Sequence, residues 1–300
     1  MVRVALVKGN TRYETVKKAL ELIKEDVEKD VKGKNRILVK PNLVSTYRQL
    51  ASVHIDTIRA ILDFIKKFTN QRIIIAEGSA GDTFTAYKNF RYMELLKNYN
   101  IKLIDLNEDD YEEIDVFDSN FKPMTLRVAK TVLNSDYIIS SALLKTHDTV
   151  IVTLSIKNMV VGSLINGDKP RIHQGYKAIN LNIFKLARYV WPNLAIIDGF
   201  TAMEGDGPIS GEGVDMRVTI ASKDALAADV IGSYIMGFNP DEVGYLYYAK
   251  LKGFGEGNLE KIEILGEDIN KIRRRFKPHS TYNLQRNWKI EEYLLTKLLK

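Results

Sequence analysis

Three short runs in the first 106 residues are apolar almost without interruption: RILVKPN (36–42), RIIIAEG (72–78) and IKLIDL (101–106). A strand with one face in water alternates polar and apolar residues. A strand with no alternation is buried on both faces, as in parallel sheets sandwiched between helices. The segments between these runs have helical spacing. Residues 13–29 place Val16, Ala19, Leu20, Ile23 and Val27 on one side, residues 55–68 do the same with Ile58, Ile61, Leu62 and Ile65, and 84–98 reads as a further helix. VRVALV (2–7) adds a leading strand.

The alternation is less regular beyond residue 106. YEEIDVF and PMTLRVA read as short extended segments, and DYIISSALL (136–144) as a strand. Helices are expected over 178–190, 224–236 and 240–252, and strands over LAIIDG (194–199), VDMRVTIAS (214–222) and KIEILGE (261–267). The pattern predicts an α/β protein, two-lobed, with mainly parallel sheets covered by helices. The expected division is an N-terminal lobe over 1–135, a second α/β lobe over 136–269 and a basic C-terminal extension over 270–300.

Charge is local in this chain. Its net charge is +6, yet residues 271–289 hold seven Lys or Arg and no Asp or Glu, which leaves −1 for everything else. The extension reads either as a solvated surface segment or as a contact for nucleic acid or an acidic partner. Phe276, Tyr282 and Trp288 fit both, as platforms for bases or as anchors to the chain's own body. There is no cysteine in the 300 residues, which rules out a cysteine-ligated iron–sulfur cluster in this chain. MVRVALVKGN lacks the long apolar centre of a signal peptide, and polar residues interrupt every apolar run. The expectation is a cytoplasmic protein with no membrane partner.

In open α/β sheets ligands bind beyond the carboxyl ends of the strands. Four strand candidates end in polar residues: Lys40 with Asn42, Glu77 with Ser79, Lys145 with His147, and Asp198. Loops at one sheet edge converge, so these residues are candidates for a common site. The glycine-rich loop 77–83 fits neither the Walker A sequence nor G-x-G-x-x-G. Asp198, Glu204 and Asp206, in and near GDGPISGEG, are candidate oxygen ligands for a divalent metal, although the spacing is not that of an EF-hand.

The segment LLKTHDTVIVTLSIKNMVVG (143–162) carries Lys145, His147, Lys157 and Asn158 through an otherwise apolar stretch. As a strand it would place Lys145, His147, Thr149, Thr153, Ser155 and Lys157 on one face. If a helix begins near Thr153 instead, Thr153 and Lys157 still share one side. Either way a row of cations and hydroxyls is backed by an apolar row, which suits a small anionic molecule such as a carboxylate or phosphate. Lys145, His147 and Lys157 are the candidates for catalysis by proton movement, and Lys40, Asn42, Glu77, Ser79, Asn158 and His173 for substrate binding.

Taken together, VKPNLV, EGSAGDT, SDYIISSALLKTHDTVIVTLSIKNMVVG, RIHQG and IIDGFTAMEGDGPISG resemble the domain-of-unknown-function 362 (DUF362) family. The likeness extends through Asp224 to Asp229 and KIEILGE, so it spans roughly 35–267. Many members carry ferredoxin-like cluster modules, so the resemblance implies redox company. Without cysteine, this chain would need a separate redox partner. At greater distance the lysine and histidine set is similar to that of the two-lobed lactate racemases, a likeness that singles out Lys157. The function expected is an enzyme acting on a small anionic metabolite, metal-assisted or redox-associated. The alternatives are a nucleic-acid-binding protein using the basic segment and a non-catalytic metabolite sensor.

Overall fold

The computed structural model describes residues 1–299. Eleven strands form: β1 (Val2–Lys8), β2 (Ile37–Pro41), β3 (Ile73–Glu77), β4 (Ile101–Asp105), β5 (Tyr111–Phe117), β6 (Pro123–Ala129), β7 (Tyr137–Thr146), β8 (Val152–Thr153), β9 (Leu194–Glu204), β10 (Glu212–Ser222) and β11 (Ile262–Gly266). Nine belong to one sheet of order β11-β1-β10-β9-β7-β2-β3-β4, with β8 paired to the end of β7, while β5 and β6 form a separate hairpin. Strands β9, β7, β2, β3 and β4 run parallel in succession, and β10 is antiparallel to both of its neighbours. The α/β class and the mainly parallel sheet are as the uninterrupted apolar strands predicted.

Helices cover both faces: α1 (Arg12–Leu22), α2 (Lys24–Val31), α3 (Ile55–Ile65), α4 (Thr83–Asn89), α5 (Lys130–Leu133), α6 (Ser155–Gly162), α7 (Asp168–Arg171), α8 (Gly175–Ala187), α9 (Ala225–Ile235), α10 (Gly244–Leu251), α11 (Ile269–Ile272), α12 (Tyr282–Gln285) and α13 (Glu292–Leu298). The two-residue period of a strand divides the core. Ala5, Val7, Ile37 and Val39 pack with α1, α2 and α3. Val4, Leu6 and Leu38 face the other way, toward α6, α8, α9 and α10. The segments on either side of the expected boundary at 135 share this sheet, because β7 inserts between β2 and β9. The helix expected over 13–29 is broken at Ile23; both Ile23 and Val31 are buried across that break.

The basic extension lies along the body. Phe276 and Trp288 are each only 2% exposed, and Trp288 packs at an angle on Tyr247 and edge-to-face on Tyr248, with ring centroids 5.2 and 5.5 Å away. Of the two roles open to these aromatics, they serve as anchors.

Candidate active site

The carboxyl ends of β2, β3 and β7 lie side by side, and a cavity of about 430 Å³ opens beyond them. At its base Lys40 is wholly buried. Its Nζ donates to both carboxylate oxygens of Glu77 (3.0 Å each), to the Pro41 carbonyl (3.0 Å) and to Asn158 Oδ1 (3.1 Å). Glu77 also accepts the backbone amides of Leu43 and Gly78, both at 2.8 Å. The pair is thus enclosed by hydrogen bonds, as a buried ion pair must be. Asn158 Oδ1 accepts from Asn42 as well, and Asn42 Oδ1 in turn accepts from Lys145 at 2.6 Å. One chain of hydrogen bonds therefore joins three strand ends to α6.

The stretch between β7 and α6 adopts the second of the two expected geometries. TVIVT does not extend as a strand: only Val152 and Thr153 pair, with Thr146 and Lys145, and a helix starts at Ser155. The tight return brings Thr153 opposite Lys145 and leaves Lys157 one turn into α6. The helix start is fixed from below. Asp229 on α9 accepts the amides of Ser155 (2.8 Å) and Ile156 (2.9 Å), and burial pushes its carboxyl up to about 8 against those two bonds.

Lys157 differs from the other buried lysines. It is 8% exposed, and among the described residues its Nζ has neither a hydrogen-bond acceptor nor a carboxylate within ion-pair distance. Burial pushes its ammonium down to about 8, with Asp148 opposing and Lys40 adding. Burial, and then the Lys157 charge, hold Lys145 well below the ordinary lysine range. Across the cavity, burial and Lys157 push the His147 imidazole down to about 3, so it is neutral at pH 7. Its Nδ1 meets a donor and an acceptor, the Thr149 amide at 3.1 Å and the Asp148 carboxylate at 3.0 Å; paired with Asp148, Nδ1 carries the proton and Nε2 keeps its lone pair. Asp148, 3.0 Å from the same nitrogen, favours the charged imidazole, but burial outweighs it. His173 stacks on His147 with centroids 6.5 Å apart, and burial lowers it too.

The turn holding His147 is strained. Ile151, a β-branched residue, has φ of 69°. That left-handed conformation costs a non-glycine residue about 1–3 kcal/mol and persists only where the surroundings impose it.

Eight of the twelve expected site residues thus come together: Lys40, Asn42, Glu77, Lys145, His147, Lys157, Asn158 and His173. Ser79 is buried behind the cavity, its hydroxyl without a partner among the described residues. The expected metal ligands are not gathered. Asp198 lies on the opposite face of the sheet, bound to Arg12 (3.0 Å) and Thr57 (2.6 Å). Strand parity puts it there: Ile196, two residues earlier, packs with α1 and α3. Glu204 and Asp206 instead accept the backbone amides of Lys277 and Ser280. Among the described residues no three His, Asp or Glu side chains are grouped to hold a metal ion.

Lys169 was not anticipated. It reaches the cavity from α7, donating to Asn107 Oδ1 and the Leu164 carbonyl, and burial lowers it to about 8. Only the tertiary fold places it there. Val44, Ala80, Val161, Pro170 and Pro208 supply an apolar wall. Lys40 and Glu77 offset each other, and Lys157 and Lys169 against Asp148 leave an excess of positive charge beside that wall.

Residues 37–234 match the family model described as domain of unknown function (DUF362). The chain belongs to the DUF362 family. A thylakoid-associated protein of Synechocystis sp. is 24% identical over 216 residues, covering 70% of this chain and 65% of that protein. The lactate racemase apoprotein from Thermoanaerobacterium thermosaccharolyticum shares the fold, with a TM-score of 0.52 at 16% identity over 79% of this chain and 56% of the racemase. The chain therefore covers less than two thirds of either protein. Every residue lining the cavity falls inside the DUF362 match, whereas the C-terminal segment beyond 234 does not. No helix among the described residues is long and apolar enough to cross a membrane.

Proposed function

We propose that the DUF362 cavity is the active site of an enzyme acting on a small organic anion with an apolar body, and that its chemistry is proton transfer beside the anionic group. One observation carries this reading: the Lys157 ammonium faces the cavity without a partner of its own. Buried cations are normally paired, so an unpaired one beside a cavity is a place for a ligand's charge. The apolar wall favours a carboxylate or phosphate monoester carrying hydrocarbon over a polyanion. With an ammonium near 8 and a neutral imidazole, Lys157 would hold the anionic group while the free lone pair of His147 Nε2, with Nδ1–H paired to Asp148, takes a proton from the carbon beside that group and returns it to the same carbon.

The test is titration calorimetry with acetate, hexanoate, benzoate and inorganic phosphate, followed by proton NMR in D2O of whichever acids bind. Hexanoate or benzoate is expected to bind more tightly than acetate. Lys157→Met should weaken that binding by about 10- to 100-fold, the loss of a hydrogen bond to a charged group. His147→Gln should leave binding in place and abolish solvent-deuterium exchange into the ligand. Binding without exchange in the native protein would favour a sensor over an enzyme. Binding unchanged in Lys157→Met would remove the reading altogether.

A second reading rests on Arg273, Arg274 and Arg275, which are exposed and have no carboxylate within ion-pair distance among the described residues. Such a patch suits the phosphates of a nucleic acid.

A further inference from the structure

The C-terminal segment is pinned to the body by two buried aromatics, Phe276 and Trp288. Between them Gln285 is 1% exposed, unusual for a glutamine on a surface helix. Its side-chain amide is fully used. Oε1 accepts the Ile151 amide, and Nε2 donates to the His147 carbonyl at 2.8 Å and to Thr281 Oγ1 at 2.8 Å. Thr281 Oγ1 donates to the Asp148 carbonyl at 2.7 Å. The turn is also closed on itself, the His147 amide donating to the Ile151 carbonyl at 2.9 Å. Three of its five residues are thus tied to α12 or the residue before it, including the strained Ile151.

The same segment holds the second loop at the cavity's rim. Lys277 donates its amide to Glu204 and accepts the Gly205 amide at 2.7 Å, while Ser280 donates to Asp206. The Gly205 carbonyl accepts from Thr146 Oγ1 at the end of β7 (2.8 Å), so both loops converge on the strand that carries Lys145. Glu204 and Asp206, expected to hold a metal, are occupied in this fastening.

We propose that residues 277–285 form a positioning strap, in which Gln285 and Thr281 hold the His147–Ile151 turn in the one backbone conformation that keeps the imidazole packed against the cavity. The inference rests on the reading of the cavity as the working site, and it assigns part of that site's order to a segment outside the DUF362 match. Neither Gln285 nor Thr281 touches the cavity, so both act through His147. The charged and titratable groups facing His147 are Asp148, Lys157 and His173, and none of them is altered when Gln285 is replaced.

Gln285→Met keeps the length and removes all three hydrogen bonds. In the native protein the His147 ring signals should stay those of a neutral imidazole from pH 5 to 8. In Gln285→Met they should titrate inside that window, because the turn opens to water, and the dissociation constant for hexanoate should rise at least tenfold. A folded Gln285→Met with a neutral His147 and a dissociation constant within twofold of native would overturn the strap. Should that variant fail to fold, Thr281→Val is read the same way. Amide hydrogen exchange of the unaltered protein decides independently: the Ile151 amide should be protected to within about tenfold of the β7 amides. Exchange as fast as in an exposed loop would overturn the proposal without any variant. If no organic anion binds the native protein but Gln285→Met still shifts His147, the active-site reading fails and the strap stands.

Discussion

Gly162→Ala should destabilise this protein, against the usual direction. Alanine for glycine within a helix ordinarily adds about 1 kcal/mol of stability. Gly162 closes α6 without a left-handed φ, so its backbone raises no objection to a side chain. The space does. A Cβ there would stand 2.1 Å from Lys40 Nζ, 2.3 Å from Lys40 Cε and 2.8 Å from Glu77 Oε1. Ordinary contacts are about 3.5–4 Å, so the ammonium must move by more than an ångström. Lys40 is wholly buried and its three N–H groups are shared among four acceptor atoms at 3.0–3.1 Å, so a shift of that size breaks some of these bonds. Separating a buried ion pair costs about 3–5 kcal/mol. Subtracting the helix gain leaves a net loss of about 2–4 kcal/mol, by those two figures. Urea unfolding read by circular dichroism measures it as a lower midpoint at unchanged slope. A Gly162→Ala protein as stable as the native one would refute the account of a rigid Lys40–Glu77 base.

Asp229→Ala removes the acceptor for two buried amides at the start of α6, so a loss of about 2–5 kcal/mol is expected from two orphaned donors, measured by the same unfolding assay. Binding of an organic anion should be flat below about pH 7 and weaken as pH rises through about 8, because Lys157 holds the anion only as an ammonium. Calorimetry at pH 6, 8 and 9.5 reads this, and pH-independent binding would rule Lys157 out as the anion's partner. For the unliganded protein the sign is opposite. A lysine lowered in the folded state opposes folding while it is charged, so this penalty is full below about 8 and fades as pH rises toward the unfolded lysine value. If the three exposed arginines bind duplex DNA through about one phosphate each, the log–log salt slope should lie near −3. No binding at low salt removes that reading.

The fold and most of the candidate site were legible from strand ends. Lys40, Glu77 and Lys145 each sit where an apolar run stops, and parallel strands bring such ends to one edge. Asp198 looked equivalent, yet β9 runs on to Glu204 and parity turns Asp198 toward α1. Where a strand ends can be guessed from one run of residues; which face a residue takes depends on its partners' register. Lys169 carries no local signal, since it reaches the cavity from a single helical turn, and Asp229 is marked only by the family likeness, its role at the start of α6 being set by the packing of α9.

The basic extension shows what composition alone leaves out for residues 270–300. Its charge drew attention to partners outside the chain, yet the contacts that bear on the site are made by uncharged groups, Thr281 and Gln285. Surface charge is solvated and tolerates displacement. A buried amide bridging two backbone groups of a strained turn does not, because losing it exposes a donor and an acceptor together. For a cavity lined by an imidazole that sits on such a turn, the hydrogen bonds behind the turn bear on its geometry as directly as the residues that line it.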